Sequence, residues 1–124
     1  MASNKILRFG PVALSATLTT NILNPPTLSG GTGLAGTNSS TYLVIRHIRI
    51  VNKTGSAATA SLWLGATGAN TAGTEVIAQG LSVAANSYVD WYGLLRMDTA
   101  DYLVGGAGTA SALTIQGEAE IGIV

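Results

Sequence analysis

The stretch YLVIRHIRIV, residues 42–51, is the strongest strand signal in this chain, dense in Ile, Val and Tyr. Such side chains suit a pleated, half-buried surface. Its almost continuous apolar character predicts burial on both faces over at least part of its length. A membrane span would need ~20 consecutive apolar residues, and Arg46, His47 and Arg49 interrupt this one. Asn52-Lys53-Thr54-Gly55-Ser56 then predicts a turn. After it Ala58, Ala60, Leu62 and Leu64 alternate with smaller or polar residues. Residues 42–64 therefore read as a hairpin.

Working outward, residues 12–23 (VALSATLTTNIL) alternate almost perfectly, with Val12, Leu14, Ala16, Leu18, Thr20 and Ile22 on one side. This is the period-2 pattern of one half-buried strand. Pro25-Pro26 ends it, and residues 29–41 form a loop rich in Gly, Ser, Thr and Asn. Toward the C-terminus, residues 65–73 read as a second loop. Residues 74–79, 88–92, 94–97 and 101–104 read as short strands, with Gly105-Gly106 ending the last. Leu113 to Ile123 closes the chain: Leu113, Ile115, Ala119, Ile121 and Ile123 face one way, and Thr114, Gln116, Glu118 and Glu120 face the other. No window carries the 3.6-residue period of an amphipathic helix. Strands with turn signals about every 8–12 residues predict an all-β fold, a single-domain β-sandwich or jelly roll of about eight strands. The expected divisions are an extended N-terminal arm at 1–26, a Gly/Ser/Thr-rich loop at 27–41 and the sandwich core at 42–124.

Charge is scarce. Only 10% of residues are Asp, Glu, Lys or Arg and the net charge is zero, against about 25% charged residues in ordinary soluble domains. The chain lacks the net charge that holds monomers apart, so much of its outer surface is expected to be buried against other protein. The charges are also segregated. Residues 1–62 hold Lys5, Arg8, Arg46, Arg49 and Lys53 and no acid; residues 63–124 hold Arg96 against six acids. The halves can pair within one copy or between copies. Neither case makes the concentrated basic face of a nucleic-acid binder, so nucleic acid and membrane are both excluded as expected partners. The absence of cysteine removes disulfide and thiol chemistry. No signal peptide is expected, because Lys5 and Arg8 straddle the apolar residues of the first ten and no apolar run follows.

The candidate chemical motifs reduce to structure. Gly31-Thr32-Gly33-Leu34-Ala35-Gly36 spells the dinucleotide fingerprint. It lacks the preceding strand, the following helix and the acid ~20 residues on, so it reads as a flexible loop. His47, the only histidine, has no nucleophile or ligand set beside it and is expected in a hydrogen-bonded structural role. Asp98 and Asp101 read as acids capping a turn rather than calcium ligands. Glu118 and Glu120 belong to a solvated strand face. Asn38-Ser39-Ser40 and Asn52-Lys53-Thr54 are formal glycosylation sequons without a secretory context. Trp63, Trp91, Tyr88 and Tyr92 are expected as core or interface anchors, with sugar stacking the alternative. No catalytic residue, cofactor or metal is expected, and the chain does not read as an enzyme.

Residues 42–124 carry a familiar succession: a strand ending in Val51-Asn52, a small-residue turn and the Leu62-Trp63-Leu64 strand. The Ala84-Ala85-Asn86-Ser87 turn, Trp91, and Asp101-Tyr102-Leu103 before a Gly-Ala loop complete it. This pattern resembles small β-sandwich virion structural proteins of tailed bacteriophages, of the capsid decoration (cement) type. The resemblance implies a protein that bridges and braces the major capsid protein, often as a trimer, on the capsid surface of a virion assembled in the bacterial host cytoplasm. A tail, neck or fibre component, or a host-glycan-binding module, is the alternative. Residues 6–23 are expected to lie across a neighbour by adding a strand to an exposed edge, so that deleting residues 1–24 would leave a folded domain. The expected interface residues are Arg8, Val12, Leu14, Leu18, Arg46 and Arg49, the arginines because they form bidentate carboxylate contacts.

Overall fold

In the computed structural model, residues 5–24, 41–98 and 100–123 are described. The expected loop at 27–41, its Gly31–Gly36 motif and the Asn38 sequon lie outside them, apart from Thr41 at the start of a strand. Eight strands form: β1 (Lys5–Ala13), β2 (Thr20–Leu23), β3 (Thr41–Asn52), β4 (Ala58–Gly65), β5 (Leu81–Val83), β6 (Ser87–Met97), β7 (Tyr102–Ala107) and β8 (Leu113–Ile123). They make two antiparallel four-stranded sheets, β1-β8-β3-β6 and β2-β7-β4-β5. Along the chain every step except β4 to β5 crosses from one sheet to the other. That strand order is the jelly roll, a double sheet of eight strands.

The order corrects the hairpin expected at residues 42–64: β3 and β4 lie in different sheets, and residues 53–57 form an arch between them. Asn52 locks the arch. It is 1% exposed, and its side-chain amide donates to the carbonyls of Ser56 (2.9 Å) and Val83 (3.0 Å). Its Oδ1 accepts from the backbone N–H and the hydroxyl of Thr54, at 2.9 and 2.7 Å. A buried polar group is stable only when its hydrogen bonds are made, and Asn52 makes them to the arch and to the opposite sheet. This role fills the Asn52 amide of the formal sequon.

β3 also departs from the expectation of burial on both faces. Leu43, Ile45, Ile48 and Ile50 are buried in the core, whereas Val44 and Val51 are half-buried and Arg46 is exposed. The inward set changes phase between Ile45 and Ile48. A register irregularity between Ile45 and His47, seen against both β6 and β8, absorbs the change. Against β8 the extra residue lies in β3, a β-bulge that re-aims the side chains beyond it; against β6 the extra residue lies in β6, between Tyr92 and Leu95. The apolar run is therefore two alternating segments of opposite parity.

Residues 12–23 are not one strand. β1 ends at Ala13 and β2 begins at Thr20. Between them Ser15 and Thr17 turn the chain: the Ser15 hydroxyl lies 2.7 Å from that of Thr20, and Thr20 donates to the Thr17 carbonyl at 2.7 Å. Nor is this segment an arm. β1 pairs with β8 and β2 with β7 of the same chain, and Phe9, Leu14, Ile22 and Leu23 enter the core. Removing residues 1–24 would strip an edge strand from each sheet together with these side chains. The sandwich therefore spans the described parts of residues 5–123, not only 42–124.

Gly105 and Gly106, expected to end a strand, lie inside β7. A Cβ on Gly105 would strike the Ser61 carbonyl of β4, and one on Gly106 would come within 2.6 Å of the Ser15 carbonyl. The Ala107 N–H donates to that same Ser15 carbonyl at 2.8 Å. Small residues here permit close backbone approach. Trp63 is 2% exposed and Trp91 packs partly buried against the core, as anchors would.

Asn52→Ala should lower unfolding free energy by about 2–3 kcal/mol, the cost of leaving buried carbonyls and the Thr54 N–H without partners. Urea denaturation would show this as a lower midpoint with an unchanged slope.

Candidate functional site: the outer face of the β1-β8-β3-β6 sheet

The bulge in β3 turns His47 and Arg49 onto the outer face of the sheet, in register with Tyr92 and Asp90 of β6 on one side and with Glu118 and Gln116 of β8 on the other. Asp90 is the hub. Arg49 donates from Nε to Oδ1 (2.7 Å) and from Nη2 to Oδ2 (3.0 Å), the bidentate fork that suits guanidinium and carboxylate. His47 Nε2 lies 2.8 Å from the same Oδ1. The Asp90 side chain is 16% exposed. The Arg49 hydrogen bond, joined by that of His47, holds its carboxyl down at about 2 against the opposing effect of burial. The same bond raises the Arg49 guanidinium above its usual value.

Each cationic or imidazole group held by Asp90 supports a tyrosine. The His47 ring stacks on Tyr92 with centroids 4.7 Å apart and planes 13° apart. The Arg49 guanidinium sits over Tyr88 at 4.4 Å. Farther along the same strands Arg96 lies over Tyr42 at 4.3 Å and donates to Asp98 at 2.6 Å. The outcome is a row of exposed tyrosines on β6, Tyr88 and Tyr92, each with one face fixed from β3. Such pre-ordering lowers the entropy lost when a ring binds a partner.

Beside this row a shallow hollow of about 220 Å³ is lined by Arg8, His47, Arg49, Gln116, Gly117 and Glu118. Gly117 lines it, and a Cβ there would come within 2.5 Å of both the buried Phe9 ring and the His47 carbonyl. Among the described residues no nucleophilic side chain bonds to His47, whose ring is engaged by Asp90 and Tyr92, the hydrogen-bonded role expected of it.

The expected interface residues separate into two groups. Arg8, Arg46 and Arg49 share the outer face of this sheet, with Arg46 3.7 Å from Glu120. Val12, on β1, is 42% exposed. Leu14 is 2% exposed and belongs to the core; its burial follows from the turn at Ser15, which folds the chain back over β7. Leu18 is half-buried against the Gly106 backbone region. Neither leucine offers the surface that an outward-facing strand would have given it. Arg49 and Arg46 pair with acids of this same chain, so part of the segregated charge is neutralised internally. Asp98 and Asp101 cap a turn: the Asp98 N–H donates to Asp101 Oδ2 at 2.8 Å. Sequence reasoning missed Asp90 as the hub and Leu94, 78% exposed, as surface. The apolar spacing of three from Ile45 to Ile48 was the available signal for the bulge that creates the site.

No protein-family model matches the chain, and no curated protein sequence does. Among solved structures, the coat protein of tobacco streak virus aligns with a TM-score of 0.48 at 15% identity, over 97% of this chain and 84% of that one. Murine APRIL aligns with a TM-score of 0.49 at 12% identity, over 95% and 99%. Eiger TNF from S. frugiperda aligns with a TM-score of 0.44 at 11% identity, over 98% and 92%. The jelly-roll assignment rests on strand order and register within this chain.

Asp90 titrates lower in the folded chain than the ordinary unfolded value of about 3.9. Its stabilisation is therefore complete above that value and is lost as pH falls toward about 2. Asp90→Asn should lower stability at neutral pH and flatten this part of the acid limb, leaving a smaller difference from wild type at the acid end; denaturant melts across the window would show it. Gly117→Ala should cost about 1–3 kcal/mol through overpacking against Phe9, measured by thermal unfolding.

Proposed function

We propose that this chain is a structural virion protein, a capsid decoration (cement) protein of a tailed phage, and that it grips the shell through the outer face of the β1-β8-β3-β6 sheet. The observation that carries this reading is the combination on one face of Ile6 (68% exposed), Tyr92 (71%) and Leu94 (78%) with Arg8, Arg46 and Arg49, on a chain with so little charge elsewhere. Exposed apolar groups collected on one face mark interaction surfaces. Rigid tyrosines and arginines are the residue types that dominate protein interfaces. The resemblance of residues 42–124 to small phage virion proteins supplies the partner, the major capsid protein, and the setting, the capsid surface after synthesis in the bacterial cytoplasm. Many equivalent sites on a shell multiply individually modest contacts. The chain needs no cofactor or catalytic group for this work. Homo-oligomers, trimers in the pattern of the resemblance, would present several such faces at once.

A tail, neck or fibre component is the second reading, favoured by the same tyrosines if their open faces stack on a host glycan. Copy number separates the two. Quantitative mass spectrometry of purified particles should find hundreds of copies, near parity with the major shell protein; a handful would place the chain in the tail or neck. Tyr92→Ala should weaken binding to undecorated shells by about 30-fold, the effect of a ~2 kcal/mol hot spot, without unfolding the domain. Unchanged binding would remove this face from the shell contact.

A further inference from the structure

A sandwich has four exposed strand edges, each a template for pairing with another chain unless it is blunted. Three are blunted here. β1 carries Lys5, Arg8, Pro11 and a register irregularity between Phe9 and Val12. β2 has four residues with an irregularity of its own, and β5 has three. β6 has a register irregularity as well, between Tyr92 and Leu95, but it differs in length and composition: eleven residues, no proline and no lysine, at the outer end of its sheet. Its two charges are already engaged within the chain, Asp90 by Arg49 and Arg96 by Asp98. Among the described residues nothing pairs with its open edge.

The sequence of this edge is self-complementary. Around Gly93 it reads Tyr88-Val89-Asp90-Trp91-Tyr92, then Leu94-Leu95-Arg96-Met97. An antiparallel copy centred on Gly93 would set Asp90 opposite the second copy's Arg96 and Tyr92 opposite its Leu94 on the outer face. Trp91 would stand opposite Leu95, and Val89 opposite Met97, on the inner face. Each of these four pairs would be apolar with apolar or acid with base, the combinations that stabilise cross-strand neighbours, while Gly93 would face its own copy and Tyr88 would face Asp98 just past the strand end. The irregularity against β3 falls near Gly93. Beyond it the alternation of exposure persists, with Leu94 and Arg96 exposed and Leu95 and Met97 turned in.

We infer that the β6 edge binds a second copy of this chain, antiparallel and centred on Gly93, joining two four-stranded sheets into one of eight. The contact is isologous and closes as a two-fold dimer, so a threefold arrangement would use other surfaces. It doubles the tyrosine-bearing face and is independent of what that face binds.

The test needs only the purified chain. Sedimentation over a concentration series should show a mass rising toward twice 12.5 kDa. Arg96→Glu, which would oppose the partner's Asp90, should weaken the dimer about tenfold or more while the melting temperature stays near wild type. The chain has no cysteine, so register can be read directly. Tyr92→Cys and Leu94→Cys proteins mixed and oxidised should form the heterodimer in preference to either homodimer, because directly opposite positions come within disulfide reach. A monomer at all concentrations would overturn the inference. So would a trimer without the 92–94 cross-link, or a dimer indifferent to Arg96→Glu in which that cross-link does not form.

Discussion

The bulge at Arg46 and His47 is the constraint on which the rest of this structure depends. β3 lies inside its sheet, between β8 and β6, and must present apolar residues to the core along its whole length. Its sequence places Leu43 and Ile45 in one parity and Ile48 and Ile50 in the other. A regular strand would turn one pair to solvent, because the side-chain period is two and a one-residue slip exchanges the faces. The irregularity between Ile45 and His47 resolves the conflict. It also decides which polar side chains face outward beyond it, and so brings His47 and Arg49 to Asp90.

From that point the outer face is assembled by a short chain of contacts. Asp90 holds Arg49 and His47, and they in turn fix Tyr88 and Tyr92. Few charges are available, and on this face they orient aromatic rings more than they solvate the surface. An ionised carboxylate with two partners in a partly buried setting is well suited to this, since charge-assisted hydrogen bonds are the strong ones. The same scarcity leaves β6 without the lysines that elsewhere keep strand edges apart.

Much of the fold was legible in the residues. The β class followed from alternation and from the absence of any helical period, and the inward and outward sets of β8 were read correctly at Ile115, Ala119, Gln116 and Glu118. Errors arose where local pattern was extended into pairing. Val12 to Ile22 alternates as one strand would, yet Ser15 and Thr17 offer the backbone a turn. Asn52 to Ser56 reads as a hairpin turn, yet it arches between sheets because Asn52 finds the Val83 carbonyl on the other side. Gly105 and Gly106 signal a break by composition and instead mark close packing against β4 and the residues that follow β1.

What the sequence by itself determined was local: which segments extend, which side chains are apolar, where charge is missing, and that arginines and tyrosines are the residues able to make contacts. Those properties depend on neighbours a few positions away. Only the tertiary structure decided which strand lies beside which, that Leu14 is core while Leu94 is surface, and that Asp90 meets His47 and Arg49 across more than forty residues of chain. The reason is physical. An alternating strand has the same pattern whichever partner it pairs with, so choosing the partner requires the whole set of faces to be buried at once.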